Sequence, residues 1–159
     1  MYNEQGTTNN FKNACVLVVE DSNDQWVLIQ QAMYKVLPEI RPVRVASHPQ
    51  VQTLLAEWVQ YGLEIPKLVL LDLYLPQPEQ GWQVLTAIKS LPSPYNILPV
   101  VMLSSSSDQD DISEAYRRGC LAYVIKPILF AGWLAYFWQL RTYWWETATL
   151  PEVRPTPFF

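Results

Sequence analysis

The chain has 159 residues, of which 50% are apolar and 16% charged, with a formal net charge of −4. At roughly 100–200 residues per domain this is one domain, and its hydrophobicity argues against disorder. Its 11 Lys and Arg are scattered, which excludes the basic stripe of a free nucleic-acid binder.

The opening MYNEQGTTNN is polar, so no secretory leader is expected, and residues 1–12 read as a loose leader segment. A first apolar run follows at Cys15 to Val19. Ser22 is placed to cap a helix carrying Trp26, Ile29, Met33 and Leu37. The next run is Val43 to Ala46. Pro49 then opens a helix through Val51, Leu54, Leu55 and Trp58. A third run spans Leu68 to Leu71. Gly81 precedes a helix with Trp82, Leu85, Ile88 and Leu91. A fourth run is Val100 to Leu103, after which Ser107 or Asp108 caps a helix ending at Gly119. The fifth run is Ala122 to Ile125, and a last helix runs from Ala131 to about Glu146. Residues 147–159 read as an extended, proline-rich tail.

Short apolar runs alternating with helical spacing predict an α/β domain over residues 13–146, with a parallel sheet covered by helices on both faces. No run of 18 apolar residues occurs, so no membrane span is expected. Cys15 and Cys120 stand far apart without metal-ligand spacing and read as reduced, buried thiols. These features together point to the cytoplasm.

Polar residues end four of the five runs. Glu20 and Asp21 follow the first, Asp72 the third, Ser104 the fourth and Lys126 the fifth. In an open α/β sheet, ligands bind outside the carboxyl ends of the strands, so these groups are expected to share one cleft. Three crowded carboxylates need a cation, and Mg²⁺, a hard ion that takes oxygen ligands, suits them. A carboxylate beside such an ion can act as a nucleophile and form an aspartyl phosphate, with an ammonium and a hydroxyl stabilising the transferred group.

The segments VLVVEDS (16–22), LVLLDLYLP (68–76), PVVMLSSS (99–106) and AYVIKP (122–127) resemble the receiver domain of two-component response regulators. The resemblance implies a flavodoxin-like fold, (βα)5, with strand order 2-1-3-4-5. It implies Asp72 as phosphoacceptor and Asp21 as a direct Mg²⁺ ligand, with Glu20 holding a metal-bound water. Asp72 itself and the backbone carbonyl of Tyr74 complete the metal set. Ser104 is then the switch hydroxyl, Lys126 the phosphate partner and Tyr123 the switch aromatic. The Lys126–Pro127 peptide is often cis in this family. The implied function is that of a single-domain response regulator, which takes a phosphoryl group from a histidine kinase and signals by binding protein. The resemblance implies a domain that phosphorylates and dephosphorylates itself, so no turnover of an external substrate is expected.

Three departures from the family pattern stand out. Gly81 lies nine residues after Asp72 rather than eight, and Pro78 adds a second proline to that loop. Tyr74 places a bulky ring beside the acceptor, where it is expected to restrict the attacking water and lengthen the phosphoryl lifetime. Ser104 stands where Thr is commoner.

The last helix is dense in aromatics. Trp133, Phe137, Leu140 and Trp144 follow core spacing, which leaves other aromatics for a protein interface. The interface candidates are Trp133, Tyr136, Trp138, Tyr143 and Trp145, with Trp133 also in the core register. A homodimer through this face is expected. The ending YWWETATLP resembles the C-terminal stretch of stand-alone receivers that partner cyanobacterial phytochrome kinases, which implies a light-sensing kinase as partner. His48 follows Ser47 and precedes Pro49 in a turn, a poor place for a phosphotransfer histidine.

Two competing readings remain. One is a phosphorylation-independent adaptor or dimerisation module with a receiver fold, which the aromatic helix fits and the intact acidic set opposes. The other is a phosphohydrolase of the haloacid dehalogenase class. That class uses a second Asp two residues after the nucleophile, and Tyr74 occupies that position.

Overall fold

The computed structural model describes residues 14–62 and 65–145, with no side-chain surroundings for 144 and 145. The leader 1–12, the tail 147–159 and the expected interface side chain of Trp145 lie outside the described residues. The strands are β1 (Cys15–Val19), β2 (Arg41–Val45), β3 (Leu68–Asp72), β4 (Val100–Ser104) and β5 (Ala122–Ile125). The helices are α1 (Asn23–Val36), α2 (His48–Tyr61), α3 (Pro78–Lys89), α4 (Gln109–Arg117) and α5 (Phe130–Leu140). A short 3₁₀ turn at Tyr95–Ile97 precedes β4.

The five strands form one parallel sheet in the order β2-β1-β3-β4-β5, the flavodoxin-like arrangement. Strand side chains alternate between its two faces. Leu17, Val19, Val69, Leu71, Val100 and Met102 face α2, α3 and α4, meeting Leu55, Trp58, Val84, Leu85 and Ala115. Val16, Val18, Leu68, Leu70, Val101 and Leu103 face α1 and α5, meeting Ile29, Met33, Trp133 and Phe137. The central strands β1, β3 and β4 are buried throughout, which accounts for their unbroken apolar runs. The edge strands β2 and β5 are covered less, with Arg41 and Ile125 exposed.

Local signals set most helix starts. Ser22 Oγ accepts from the Gln25 amide, Ser47 Oγ from Gln50 and Asp108 Oδ1 from Asp110. Gly119 ends the α4 segment at φ +98°, a conformation costly for any residue with a Cβ. Helix α3 starts earlier than expected, at Pro78, whose fixed φ suits the first turn. Gly81 therefore lies inside the helix. A Cβ there would be driven into the backbone carbonyl of Leu73, so glycine lets α3 pack close to the end of β3.

The end of α5 corrects the sequence reading. The α-helix stops at Leu140 and the chain continues as a π-helical turn, Arg141–Trp145. Arg141 there donates to the Val36 carbonyl at 3.1 Å and pairs with Glu39 at 2.9 Å, tying this turn to the end of α1. Among the described residues, no helix is long and apolar enough to cross a membrane.

Candidate functional site

The sheet order places β1 beside both β2 and β3, so the chain leaves β1 and β3 in opposite directions. The crevice at their carboxyl ends receives Glu20 and Asp21 from β1 and Asp72 from β3. Carboxylate oxygens of these three residues all lie within 4.8 Å of one another. Glu20 and Asp72 are buried, at 1% and 4% exposure, while Asp21 stands at the exposed rim. Lys126 enters from the end of β5. Its Nζ lies 2.7 Å from Glu20 Oε2 and 3.1 Å from Asp72 Oδ2.

Backbone bonds hold this geometry. The Ser22 amide donates to Glu20 Oε1 at 3.2 Å, and the Tyr74 amide donates to Asp72 Oδ1 at 3.2 Å. The Lys126 amide donates to the Ser104 carbonyl at 2.8 Å, so the strand ends carrying the ammonium and the hydroxyl are paired. Ser104 is fully buried, and its Oγ accepts from the Ser106 amide at 3.1 Å. Of the four consecutive serines, the strand register thus selects Ser104 for the cleft. The Tyr123 ring is half-buried, and its hydroxyl donates to the Ser106 carbonyl at 2.8 Å.

Electrostatics follow from burial and crowding. Burial, with a smaller push from the Glu20 charge, raises the Asp72 carboxyl to about 7 against the opposing pull of Lys126. Burial pulls the Lys126 ammonium down, but the Asp72 and Glu20 charges outweigh it and hold the group above its ordinary range. One ammonium pairs with two of the three clustered carboxylates, so negative charge remains in excess. An all-oxygen donor set of this size and charge fits a hard divalent cation.

These observations place Glu20, Asp21, Asp72, Ser104 and Lys126 around one cleft, as the strand ends predict. A family model, the response regulator receiver domain, matches residues 16–133. The chain belongs to the response regulator receiver family. The receiver is 31% identical over 129 residues to the probable methanogenesis regulatory protein FilR2 of Methanothrix harundinacea, spanning 81% of this chain and 82% of that one. It is 29% identical over 137 residues to the response regulator Rcp1 of Synechocystis sp., spanning 86% and 92%. Among solved structures, it resembles the phosphorylated cyanobacterial phytochrome response regulator RcpA, with TM-score 0.77, 31% identity and coverage of 88% and 99%. The Mn²⁺-bound form of Rcp1 superimposes with TM-score 0.74 at 28% identity, covering 87% and 99%.

Several expectations need correction. Trp133 cannot serve as an interface residue of the folded chain, because it is fully buried and stacks on Phe137 with centroids 5.9 Å apart. Tyr136 is half-buried rather than exposed, packed 5.2 Å from the Phe137 ring, and burial pushes its phenol well above the ordinary range. Trp138 and Tyr143 are exposed, at 60% and 62%. The cis peptides among the described residues are Leu75–Pro76 and Ser93–Pro94, so Lys126–Pro127 is trans.

The structure also adds residues that the sequence reading passed over. Arg44 Nε donates to the Glu20 carbonyl at 3.0 Å, and its Nη1 donates to Asn23 Oδ1 at 2.8 Å, bracing the turn after β1. A lone arginine within an apolar strand run was the available signal. Asp111, in the first turn of α4, accepts from both Tyr74 and Ser106. Nothing local distinguishes it from an ordinary helix-start acid.

Proposed function

We propose that this receiver accepts a phosphoryl group on Asp72 from phosphohistidine of a sensor kinase and signals by protein–protein contact. The observation that carries this reading is the Lys126 ammonium held between Glu20 and Asp72 in a buried acidic cleft. Glu20, Asp21, Asp72 and the Tyr74 carbonyl would hold Mg²⁺, with Glu20 acting through a bound water. The ion supplies charge neutralisation for the phosphoryl oxygens when bound.

The chain's own groups account for the rest. An Asp72 carboxylate oxygen attacks phosphorus, the bond to the donor nitrogen breaks, and an aspartyl phosphate forms. The Lys126 ammonium then exchanges a carboxylate for a phosphoryl oxygen, an electrostatic contact strengthened by burial. Ser104 leaves the Ser106 amide and donates its hydroxyl to the phosphoryl group. That movement loosens the loop whose carbonyl holds Tyr123, which supports Tyr123 as the aromatic that reports the change.

Likeness to RcpA and Rcp1 supports a phytochrome as the donating kinase. Exposed Trp138 on α5 and Tyr143 in the turn after it support this face as a homodimer surface. The cytoplasm is the compartment that fits a kinase partner and two buried cysteines.

The test is intact mass after incubation with Mg²⁺ and acetyl phosphate, for wild type and Asp72→Asn, with sedimentation of both states. One added phosphoryl group, absent in the variant, is expected. A folded wild type that gains none would sink the proposal and leave the phosphorylation-independent adaptor.

A further inference from the structure

Tyr74 and Ser106 converge on one carboxylate that belongs to neither the acidic cleft nor the switch. Tyr74 Oη donates to Asp111 Oδ2 at 3.2 Å, and Ser106 Oγ donates to the same oxygen at 2.6 Å. The Ser106 hydroxyl also accepts from the Asp108 amide at 3.2 Å, so both its roles are used. Tyr74 lies in the loop after β3, Ser106 in the loop after β4 and Asp111 at the start of α4.

Both residues that Asp111 holds reach back into the cleft through their own backbones. The Tyr74 amide bonds Asp72, and the Ser106 amide bonds Ser104. Below them β3 and β4 are paired, with the Leu73 amide donating to the Leu103 carbonyl at 3.0 Å. The bonds therefore close a ring: Asp72, Tyr74, Asp111, Ser106, Ser104 and back through the sheet. Hydrogen bonds to an ionised carboxylate are about twice as strong as neutral ones, so this contact can fix an otherwise free phenol ring.

We propose that Asp111 is a positioning residue, a clasp that holds the Tyr74 ring and Ser106 together across the mouth of the cleft and slows water's access to phosphorylated Asp72. The clasp rests on the phosphoacceptor reading above. In hydrolysis a water oxygen bonds to phosphorus and the bond from phosphorus to Asp72 oxygen breaks. The products are inorganic phosphate, the Asp72 carboxylate and a proton released to solvent. The water must come from the side opposite the Asp72 oxygen, which is the cleft mouth bordered by the two loops that Asp111 joins. Tyr74 is part of the barrier, and Asp111 keeps it in place.

The experiment follows loss of the phosphoryl group by intact mass, after labelling with acetyl phosphate and Mg²⁺ and removing the donor. It compares wild type, Tyr74→Phe, Asp111→Ala, Asp111→Asn and the Tyr74→Phe/Asp111→Ala pair, each also melted thermally. Tyr74→Phe and Asp111→Ala are expected to lose the group roughly ten-fold faster. The double variant should be no faster than Asp111→Ala, because one clasp is lost only once. Asp111→Asn keeps an oxygen acceptor but loses the charge, so its lifetime should fall between those of wild type and Asp111→Ala, and a loss faster than in Asp111→Ala would overturn the clasp. Wild-type lifetimes in both single variants, even with lowered melting points, would overturn the clasp. So would a double variant whose acceleration is the product of the two singles. A wild type that takes no label overturns the phosphoacceptor reading and the clasp together, which separates the two failures.

Discussion

The ammonium of Lys126, at the end of β5, reaches past β4 to stand 3.1 Å from Oδ2 of Asp72, at the end of β3. The same nitrogen is 2.7 Å from Glu20, so one cation holds two buried carboxylates in place. Removing it leaves those carboxylates facing each other in low dielectric. Lys126→Met should destabilise the fold at pH 8 by about 3–5 kcal/mol, and by less at pH 5, where Asp72 takes up a proton. Chemical denaturation at the two pH values measures the difference, and an equal loss at both would contradict the argument.

Asp72 itself opposes folding at neutral pH. Its carboxyl is raised to about 7 in the folded chain from 3.8, so the native state holds the proton more tightly than the unfolded one. Its contribution to stability is therefore complete below about pH 4 and disappears as pH rises through about 7. Asp72→Asn should flatten that slope and raise the melting point at pH 8. In wild type, Mg²⁺ should raise the melting point over an EDTA control more at pH 8 than at pH 5, because cation and proton compete for one site.

Two tryptophans on α5 should behave oppositely. Trp133→Ala empties a fully buried site and should cost about 3–5 kcal/mol. Trp138→Ala, 60% exposed, should change stability by less than about 0.5 kcal/mol. If the α5 face joins two chains, Trp138→Ala should nevertheless weaken the dimer in sedimentation. A large stability loss at Trp138 would mean that its ring is covered in the folded chain.

Gly81→Ala tests the close approach of α3 to β3. The added methyl meets backbone rather than a movable side chain, so α3 must shift away from Leu73. A loss of about 1–3 kcal/mol is expected, against the small gain that alanine brings to an open helix position.

The Cys120 thiol is 6% exposed, and burial pushes it up to about 11, with Lys89 pulling the other way. At pH 8 it should resist iodoacetamide in the folded chain and react once denaturant opens the domain. Peptide mass mapping reads the site. Rapid alkylation without denaturant would show that this part of the fold opens on its own.

What could be read without coordinates followed short-range rules. Central strands buried on both faces have unbroken apolar runs, so β1, β3 and β4 were found within a residue or so of their ends. Ser22 and Asp108 announced helix starts because capping involves only the next few residues. Asp72 and Lys126 were legible because they end apolar runs, and α/β topology brings such ends to one edge. Helix α3 starts before Gly81, at Pro78, although the helical spacing is legible only from Trp82 onward. The role of Gly81 is close packing against Leu73, which no local pattern expresses. The spacing of Trp133, Phe137 and Leu140 marks the buried stripe of α5, and all three are buried; offering Trp133 to an interface as well conflicts with that spacing.

Local residue patterns establish the alternation of strands and helices, the five polar groups at strand ends and the family they mark. Each of these depends on residues close together in the chain. Packing of the whole domain is what brings Lys126 between Glu20 and Asp72, leaves Trp138 on the surface and lets Asp111 join Tyr74 to Ser106. Those contacts cross 37 and 106 positions between Asp111 and Tyr74 and between Lys126 and Glu20. Whether such distant side chains meet depends on loop paths and helix rotations, which are set by packing the whole domain at once.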